Sequence, residues 1–212
     1  MTSHIQHVNF DYRAPYYTSG KLTSDKLWFV FHGYGQLAPF FIQKFDFLEK
    51  DVLIVAPQGL SHFYLQGTSG RVGASWMTKE NRQLAIQNYI SYLDHIYSQL
   101  TQGMKLSSHH ITVLGFSQGV STLIRWLVYS EMEFDQLIMC AGSFPDDIDL
   151  SVSKRVFLDK PCYYLYGDQD PYIKPGSIEQ LDKKFHQYGL EVDFRRFEGK
   201  HEISRDLLEE LA

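Results

Sequence analysis

"HITVLGFSQGVSTLIRW", residues 110–126, changes its periodicity in the middle. Ile111, Val113 and Leu114 make a β-branched and apolar run of the kind that builds a strand. Beyond Gly115-Phe116-Ser117-Gln118-Gly119, the apolar residues Val120, Leu123, Ile124, Leu127 and Val128 recur at helical spacing. Ser117 therefore stands on the bend between a strand and a helix. A serine on so sharp a turn has strained backbone angles, and the residues two away on either side must be small for the chain to pass this close to itself. The turn pushes the hydroxyl out over the sheet edge and puts the amide of Gln118 at a helix N-terminus, where it can donate to a developing oxyanion. A serine in this place can also be a plain helix cap, so the rest of the chain has to decide.

Working outward, "LWFVFHGYGQ" (27–36) is a continuous apolar run stopped by a Gly-rich loop, as for a strand buried on both faces. "DVLIVAPQG" (51–59) is another. A long polar, Gly-rich passage then runs from Leu60 to Lys79. Leu84, Tyr89, Ile90, Leu93, Ile96, Tyr97 and Leu100 mark an amphipathic helix closed by Gly103. Downstream of Ser117, "FDQLIMCAG" (134–142) and "PCYYLYGDQD" (161–170) read as strands and "SIEQLDKKFHQYG" (177–189) as a helix; "LEVDFRRFEGKHEISRDLLEEL" (190–211) reads as strand, loop and helix. Near the N-terminus Val8, Phe10 and Tyr12 alternate with polar residues, and with a second extended stretch ending near Gly20 they predict an antiparallel edge. Strands alternating with helices, with no linker or repeat, predict an α/β domain around a mostly parallel sheet, a single domain over 1–212. In such sheets ligands bind outside the carboxyl ends of the strands.

Composition narrows the chemistry. A chain of 212 residues with 44% apolar residues can bury a sizeable core. Its net charge is −5 and it lacks a basic run interleaved with aromatics, so a nucleic-acid partner is not expected. No apolar segment approaches the ~20 residues of a membrane helix, and residues 1–10 do not read as a secretory signal. A cytoplasmic protein acting on small molecules is expected, monomer or homodimer, without stable membrane insertion. Cys140 and Cys162 lack metal-ligand spacing and read as reduced, buried residues. No metal or cofactor is expected.

A serine nucleophile needs a base, and the base an orienting carboxylate. In the chain order nucleophile, acid, base, only His186 and His201 lie far enough downstream. His186 falls in a helix beside polar Gln187 and reads as solvated, whereas His201 follows "VDFRRF" at a strand's carboxyl end and is the candidate base. The turn after "YYLYG" offers Asp168 and Asp170, and spacing does not choose between them; Asp146 and Asp147 read as a solvated loop. The Gly-rich His32-Gly33-Tyr34-Gly35 loop makes the amide of Tyr34 the candidate second oxyanion donor, with His32 packed beneath and bonded to backbone.

"HGYGQ", "GFSQG", "GDQDP" and "GKH", in this order and spacing, resemble the α/β-hydrolases, and "GFSQG" with the short chain is similar to the acyl-protein thioesterase/carboxylesterase/phospholipase family. The resemblance runs from Phe29 to the terminal helix. It implies the α/β-hydrolase fold and a serine esterase with Ser117 as nucleophile, Asp170 as acid, His201 as base and the amides of Tyr34 and Gln118 as oxyanion hole, acting on an ester or thioester through an acyl-enzyme. The chain departs from that family at Gln36, where an aspartate is usual, and in "APQGL". A dienelactone-hydrolase-like enzyme would prefer a cysteine nucleophile, a peptidase an additional domain, and an inactive binding module would not need the three residue types in order. Trp76, Met77, Phe144 and Tyr172 on the strand-end loops are the candidate pocket lining, with one of Phe40 and Phe41 facing the sheet. No insertion is long enough for a large lid, which predicts an open site for short to medium acyl chains.

Overall fold

The computed structural model describes residues 4–48, 51–102, 109–130 and 132–212. Its main sheet has seven strands in the order β1-β3-β2-β6-β7-β8-β9. These are β1 (Tyr16–Ser19), β2 (Lys26–Phe31), β3 (Val52–Pro57), β6 (His110–Phe116), β7 (Gln136–Cys140), β8 (Cys162–Gly167) and β9 (Val192–Phe197). Only β1 runs antiparallel, against β3; every other pairing is parallel. A separate two-stranded hairpin, β4 (Ser61–Tyr64) and β5 (Val72–Ser75), rises from the end of β3.

The apolar runs are continuous because both faces of the sheet are covered. Leu27, Phe29 and Phe31 of β2, with Ile111 and Val113 of β6, pack under α2 (Arg82–Thr101) and α3 (Gln118–Tyr129), and Phe185 of α5 (Ser177–Gln187) joins the same core against Tyr164 of β8 and Phe194 of β9. Trp28 and Val30, one residue out of phase, join Leu114 and Phe116 against Phe41 and Phe45 of α1 (Ala38–Phe41) and the following 3₁₀ turn, and against Leu208 of α6 (Arg205–Glu209). Period-two alternation thus delivers alternate residues to two cores. Each such side chain, fully buried, contributes roughly 1.5–3 kcal/mol of transfer free energy. The fold is the mostly parallel, helix-flanked sheet that the alternating pattern predicts.

The outlying parts differ from the sequence reading. Residues 4–15 hold no strand; Val8, Phe10 and Tyr12 are exposed, and the antiparallel edge is β1 alone. An alternating pattern needs a neighbouring strand to bury its apolar face, and the edge of β3 is taken by Tyr16–Ser19. The polar, Gly-rich passage 60–79 contains the β4–β5 hairpin, whose short strands carry too few apolar residues to show a period. A further helix, α4 (Leu150–Val156), begins at Asp149, whose carboxylate caps the N–H groups of Ser151 and Val152. Gly103 lies outside the described residues. Asp147 is an exposed loop residue, as read, and it also accepts from the buried guanidinium of Arg125, whose Nη2 and Nε reach Oδ1 at 2.8 and 3.0 Å and whose Nε lies 3.2 Å from Oδ2. Burial pushes the Asp147 carboxyl up, and Arg125 more than offsets this, holding it below the usual range.

Candidate active site

The turn after β6 is as tight as its sequence requires. Ser117 has φ 54° and ψ −117°, a conformation costing on the order of 1–3 kcal/mol. It is held there by its own N–H, which donates to the Cys140 carbonyl of β7 at 2.8 Å. A Cβ on Gly119 would lie 2.3 Å from the Phe31 carbonyl oxygen, and one on Gly115 would lie 2.7 Å from the Val120 backbone, so both positions exclude any larger residue. The side chain of Ser117 therefore projects at the carboxyl end of the sheet, beside the first turn of α3.

Asp170 and His201 arrive from the ends of β8 and β9. Gly167 pairs with Phe197 in register, and the two loops stay joined beyond the sheet through the Asp168 N–H to Phe197 oxygen and the Gln169 N–H to Gly199 oxygen. His201 Nδ1 lies 2.7 Å from Asp170 Oδ2, and Nε2 lies 3.0 Å from Ser117 Oγ. A carboxylate only accepts, so Nδ1 carries the proton and Nε2 turns its lone pair to the serine hydroxyl. The Asp170 side chain is 0% exposed, and its other oxygen accepts the Tyr172 N–H at 2.9 Å. Asp168 is exposed and turned away, accepting the Gly199 N–H at 3.3 Å. Of the two aspartates left open by spacing, Asp170 is the one that meets the imidazole. His186 pairs with exposed Asp182 and Glu191 far from this cluster.

The loop after β2 reaches the same point: a Cβ on Gly33 would come within 3.2 Å of the Ser117 Cβ. Among the described residues, the N–H groups of Tyr34 and Gln118 donate to no protein acceptor, while their neighbours Gly33 and Gly35 donate to Gln36 Oε1 and the Ala74 oxygen. Beneath the loop His32 is fully buried. Its Nδ1 donates to the Gly33 oxygen at 2.8 Å and its Nε2 accepts the Gly59 N–H at 2.9 Å. Burial lowers its pKa to about 4, against a smaller upward pull from the Gly33 bond, so the ring is neutral at neutral pH.

Several residues hold this arrangement without a sequence signal. Gln36, the departure from the usual aspartate, uses its carbonyl oxygen to accept the Gly33 N–H at 2.8 Å. The Gln118 side chain accepts the Trp76 N–H at 3.1 Å and donates to the Met77 oxygen at 2.9 Å, tying the β5 loop to the elbow. Phe116 packs 4.9 Å from the His201 ring. Position alone hints at Gln118, since a side chain on the first helical residue is free to reach outward.

The proposed pocket lining divides. Tyr172 is 75% exposed and stands edge-on to His201, ring centroids 4.7 Å apart. Met77 is half-buried and its sulfur accepts from Arg82. Trp76 and Phe144 are core residues and line no open pocket. Trp76, 1% exposed, stacks on His32 and packs against Phe31 and Tyr89, its Nε1 donating to the His32 oxygen. Phe144 is enclosed by Phe157, Phe185 and Tyr188. An aromatic residue next to a strand end can fall beneath the loops as readily as above them. Phe41 faces the sheet and Phe40 faces solvent. Among the described residues no cluster of His, Cys, Asp and Glu could hold a metal ion, and no helix is long and apolar enough to cross a membrane.

A mostly parallel sheet between two layers of helices, with a serine on a strained strand-to-helix elbow, is the α/β-hydrolase fold. The family model described as phospholipase/carboxylesterase matches residues 18–212, and the chain belongs to that family. Its fold is similar to a phospholipase/carboxylesterase from Dyadobacter fermentans, at 18% identity over 97% of both chains with a TM-score of 0.67. It also resembles a Bacillus cereus carboxylesterase (12% identity, 93% of this chain and 91% of that one, TM-score 0.67). A third relative in structure is Zea mays acyl-protein thioesterase 2 (13%, 94% and 96%, 0.67). Among curated proteins none matches.

Proposed function

We propose that the chain, read as one domain over 1–212, is a serine hydrolase of carboxylic esters or thioesters, with Ser117 as nucleophile, His201 as base and Asp170 as its orienting acid. The observation that carries this is the unbroken line of hydrogen bonds from Asp170 Oδ2 through both imidazole nitrogens to Ser117 Oγ. The hydroxyl attacks the acyl carbonyl as Nε2 takes its proton, and the resulting oxyanion accepts from the N–H groups of Tyr34 and Gln118. Collapse expels the alcohol or thiol, which takes the proton from Nε2 and leaves an acyl-enzyme on Ser117. Water then repeats the sequence and releases the acid. Asp170 stays ionised throughout and stabilises the imidazolium formed at each step.

The rim of the site, with Tyr34, Phe40 and Tyr172 all exposed, supports an open site for short to medium acyl chains. Beyond the wall each added methylene gains none of the roughly 0.8 kcal/mol that burial provides. Both cysteines are free and buried, with thiol pKa values pushed up by burial, which supports a reducing, cytoplasmic setting. The test is a fluorophosphonate probe followed by peptide mapping, beside pre-steady-state release of p-nitrophenol from p-nitrophenyl acetate. Stoichiometric label on the Ser117 peptide and a burst matching the enzyme concentration are expected. Label elsewhere, or turnover that persists in Ser117→Ala, would refute the assignment.

A further inference from the structure

We propose that the acyl arm of the substrate ends in an anionic group, a carboxylate or a phosphate, held by Arg71 and Lys44; this rests on the esterase reading above. A cavity of about 620 Å³ opens between α1 and the β4–β5 hairpin, beside the loop that carries Tyr34. Gly35, Leu37, Phe40 and Val72 give it apolar walls, Arg71 and Lys44 give it two cations, and no carboxylate lines it. That is against the average of a chain with net charge −5. Arg82, Arg125, Arg195 and Arg205 each hold a carboxylate, whereas among the described residues neither Arg71 nor Lys44 does. Two uncommitted cations over apolar walls fit a ligand that is apolar along its length and negative at its end.

The cavity's position assigns it to the acyl arm. The leaving group must stay within reach of His201 Nε2 to take its proton, and the rings that touch His201, those of Phe116 and Tyr172, line no part of this cavity. Gly35, in contrast, lines the cavity and follows Tyr34 directly in the chain, and the proposal takes the acyl arm from beside the Tyr34 N–H into it.

The experiment compares p-nitrophenyl hexanoate with the mono-p-nitrophenyl esters of adipate, pimelate and suberate, with their methyl-capped diesters, and with a phosphonate-tailed analogue. At low ionic strength the wild type should prefer at least one anionic tail over its capped partner by about tenfold in kcat/KM, and salt should erode the preference. In the Arg71→Gln/Lys44→Gln double variant the ratio should fall to about one. The larger of the carboxylate and phosphonate preferences identifies the source of the anion. Binding of adipamic acid, measured by calorimetry, gives a readout that needs no turnover and should be lost in the double variant. Neutral ester turned over with every anionic ratio at or below one would overturn the anion site and leave the esterase reading intact. If the neutral ester is not turned over, the esterase reading fails, and adipamic acid binding equal in wild type and double variant then overturns the anion site as well.

Discussion

His32 and His201 stand beyond the carboxyl ends of β2 and β9 and share almost nothing else. His32 is enclosed: both nitrogens meet backbone, Trp76 stacks on its face, and burial depresses its pKa to about 4. His201 is partly open and meets only side chains, those of Asp170 and Ser117. The same contrast divides the site into a floor of His32, Trp76, Gln118 and Gly119 and a rim of Tyr34, Phe40, Phe63 and Tyr172. In the floor each polar side chain has a partner, and Gly119 has a steric reason. At the rim Tyr34, Phe40 and Tyr172 are exposed and Phe63 is half-buried, stacked on Tyr34 at 5.0 Å. A titratable group can serve chemistry only where its protonation can change without breaking the fold, and His32, enclosed and bonded through both nitrogens, does not meet that condition.

The largest effect should come from removing the group that joins floor to rim. Ser117→Ala is expected to lower kcat by about 10⁴–10⁶, because such triads act as a unit and only oxyanion and binding effects remain. Its circular dichroism and melting curve should stay close to wild type. Steady-state kinetics beside thermal unfolding checks both halves. Next comes the pair of turn aspartates, where Asp170→Asn should cost about 10⁴ in kcat by presenting the wrong hydrogen-bond partner to Nδ1. Asp168→Asn should cost less than about tenfold, since its oxygen only braces the Gly199 N–H. A reversal of that order, with both proteins folded, would exchange their roles.

The floor should respond in stability instead. Trp76→Ala removes a fully buried indole and leaves the His32 carbonyl without its donor, and about 3–5 kcal/mol of destabilisation by chemical denaturation is expected. A loss below about 1 kcal/mol would mean the indole is not buried in solution. His32 adds a pH dependence whose sign follows from its depressed pKa. Between pH 6.5, the ordinary value, and about 4, the unfolded chain binds a proton that the folded chain refuses. The contribution is therefore complete above pH 6.5 and is lost progressively as pH falls toward 4, to a total of about 3 kcal/mol. His32→Gln, which cannot titrate, should flatten that window while lowering stability throughout. An unchanged slope in the variant would assign the acid sensitivity to other groups.

Legibility in the sequence follows the same division. The elbow could be read because Gly115 and Gly119 leave no alternative to a close backbone approach, and the buried strands because their apolar runs admit few other structures. The choice of Asp170 over Asp168 could not be read from spacing, since both stand in one turn and differ only in which way the chain faces after Gly167. Nor could the depth of Trp76 or Phe144 be read: whether an aromatic side chain at a strand end lies above or beneath its loop depends on tertiary packing. The Gln118 and Gln36 contacts were hidden for a related reason. A glutamine side chain bonds whatever loop happens to pass, and no period records that loop.

The smallest effect should come from the rim, and it is the one that tests whether exposure there serves selectivity. Tyr172 is 75% exposed, so truncation removes little buried area, and its backbone N–H, which any residue supplies, keeps the contact to Asp170. Tyr172→Ala should therefore shift stability by less than about 0.5 kcal/mol, the usual range for surface changes. Its ring nonetheless stands roughly perpendicular to that of His201, centroids 4.7 Å apart, and makes a wall beside the imidazole. Loss of that wall should raise KM for aryl leaving groups more than for ethyl or methyl esters of the same acid, by about threefold to tenfold, with kcat little changed. A panel holding the acyl group constant and varying only the alcohol separates this from any change in the acyl arm. Equal effects on aryl and alkyl leaving groups would mean that Tyr172 shields the imidazole and takes no part in choosing the substrate.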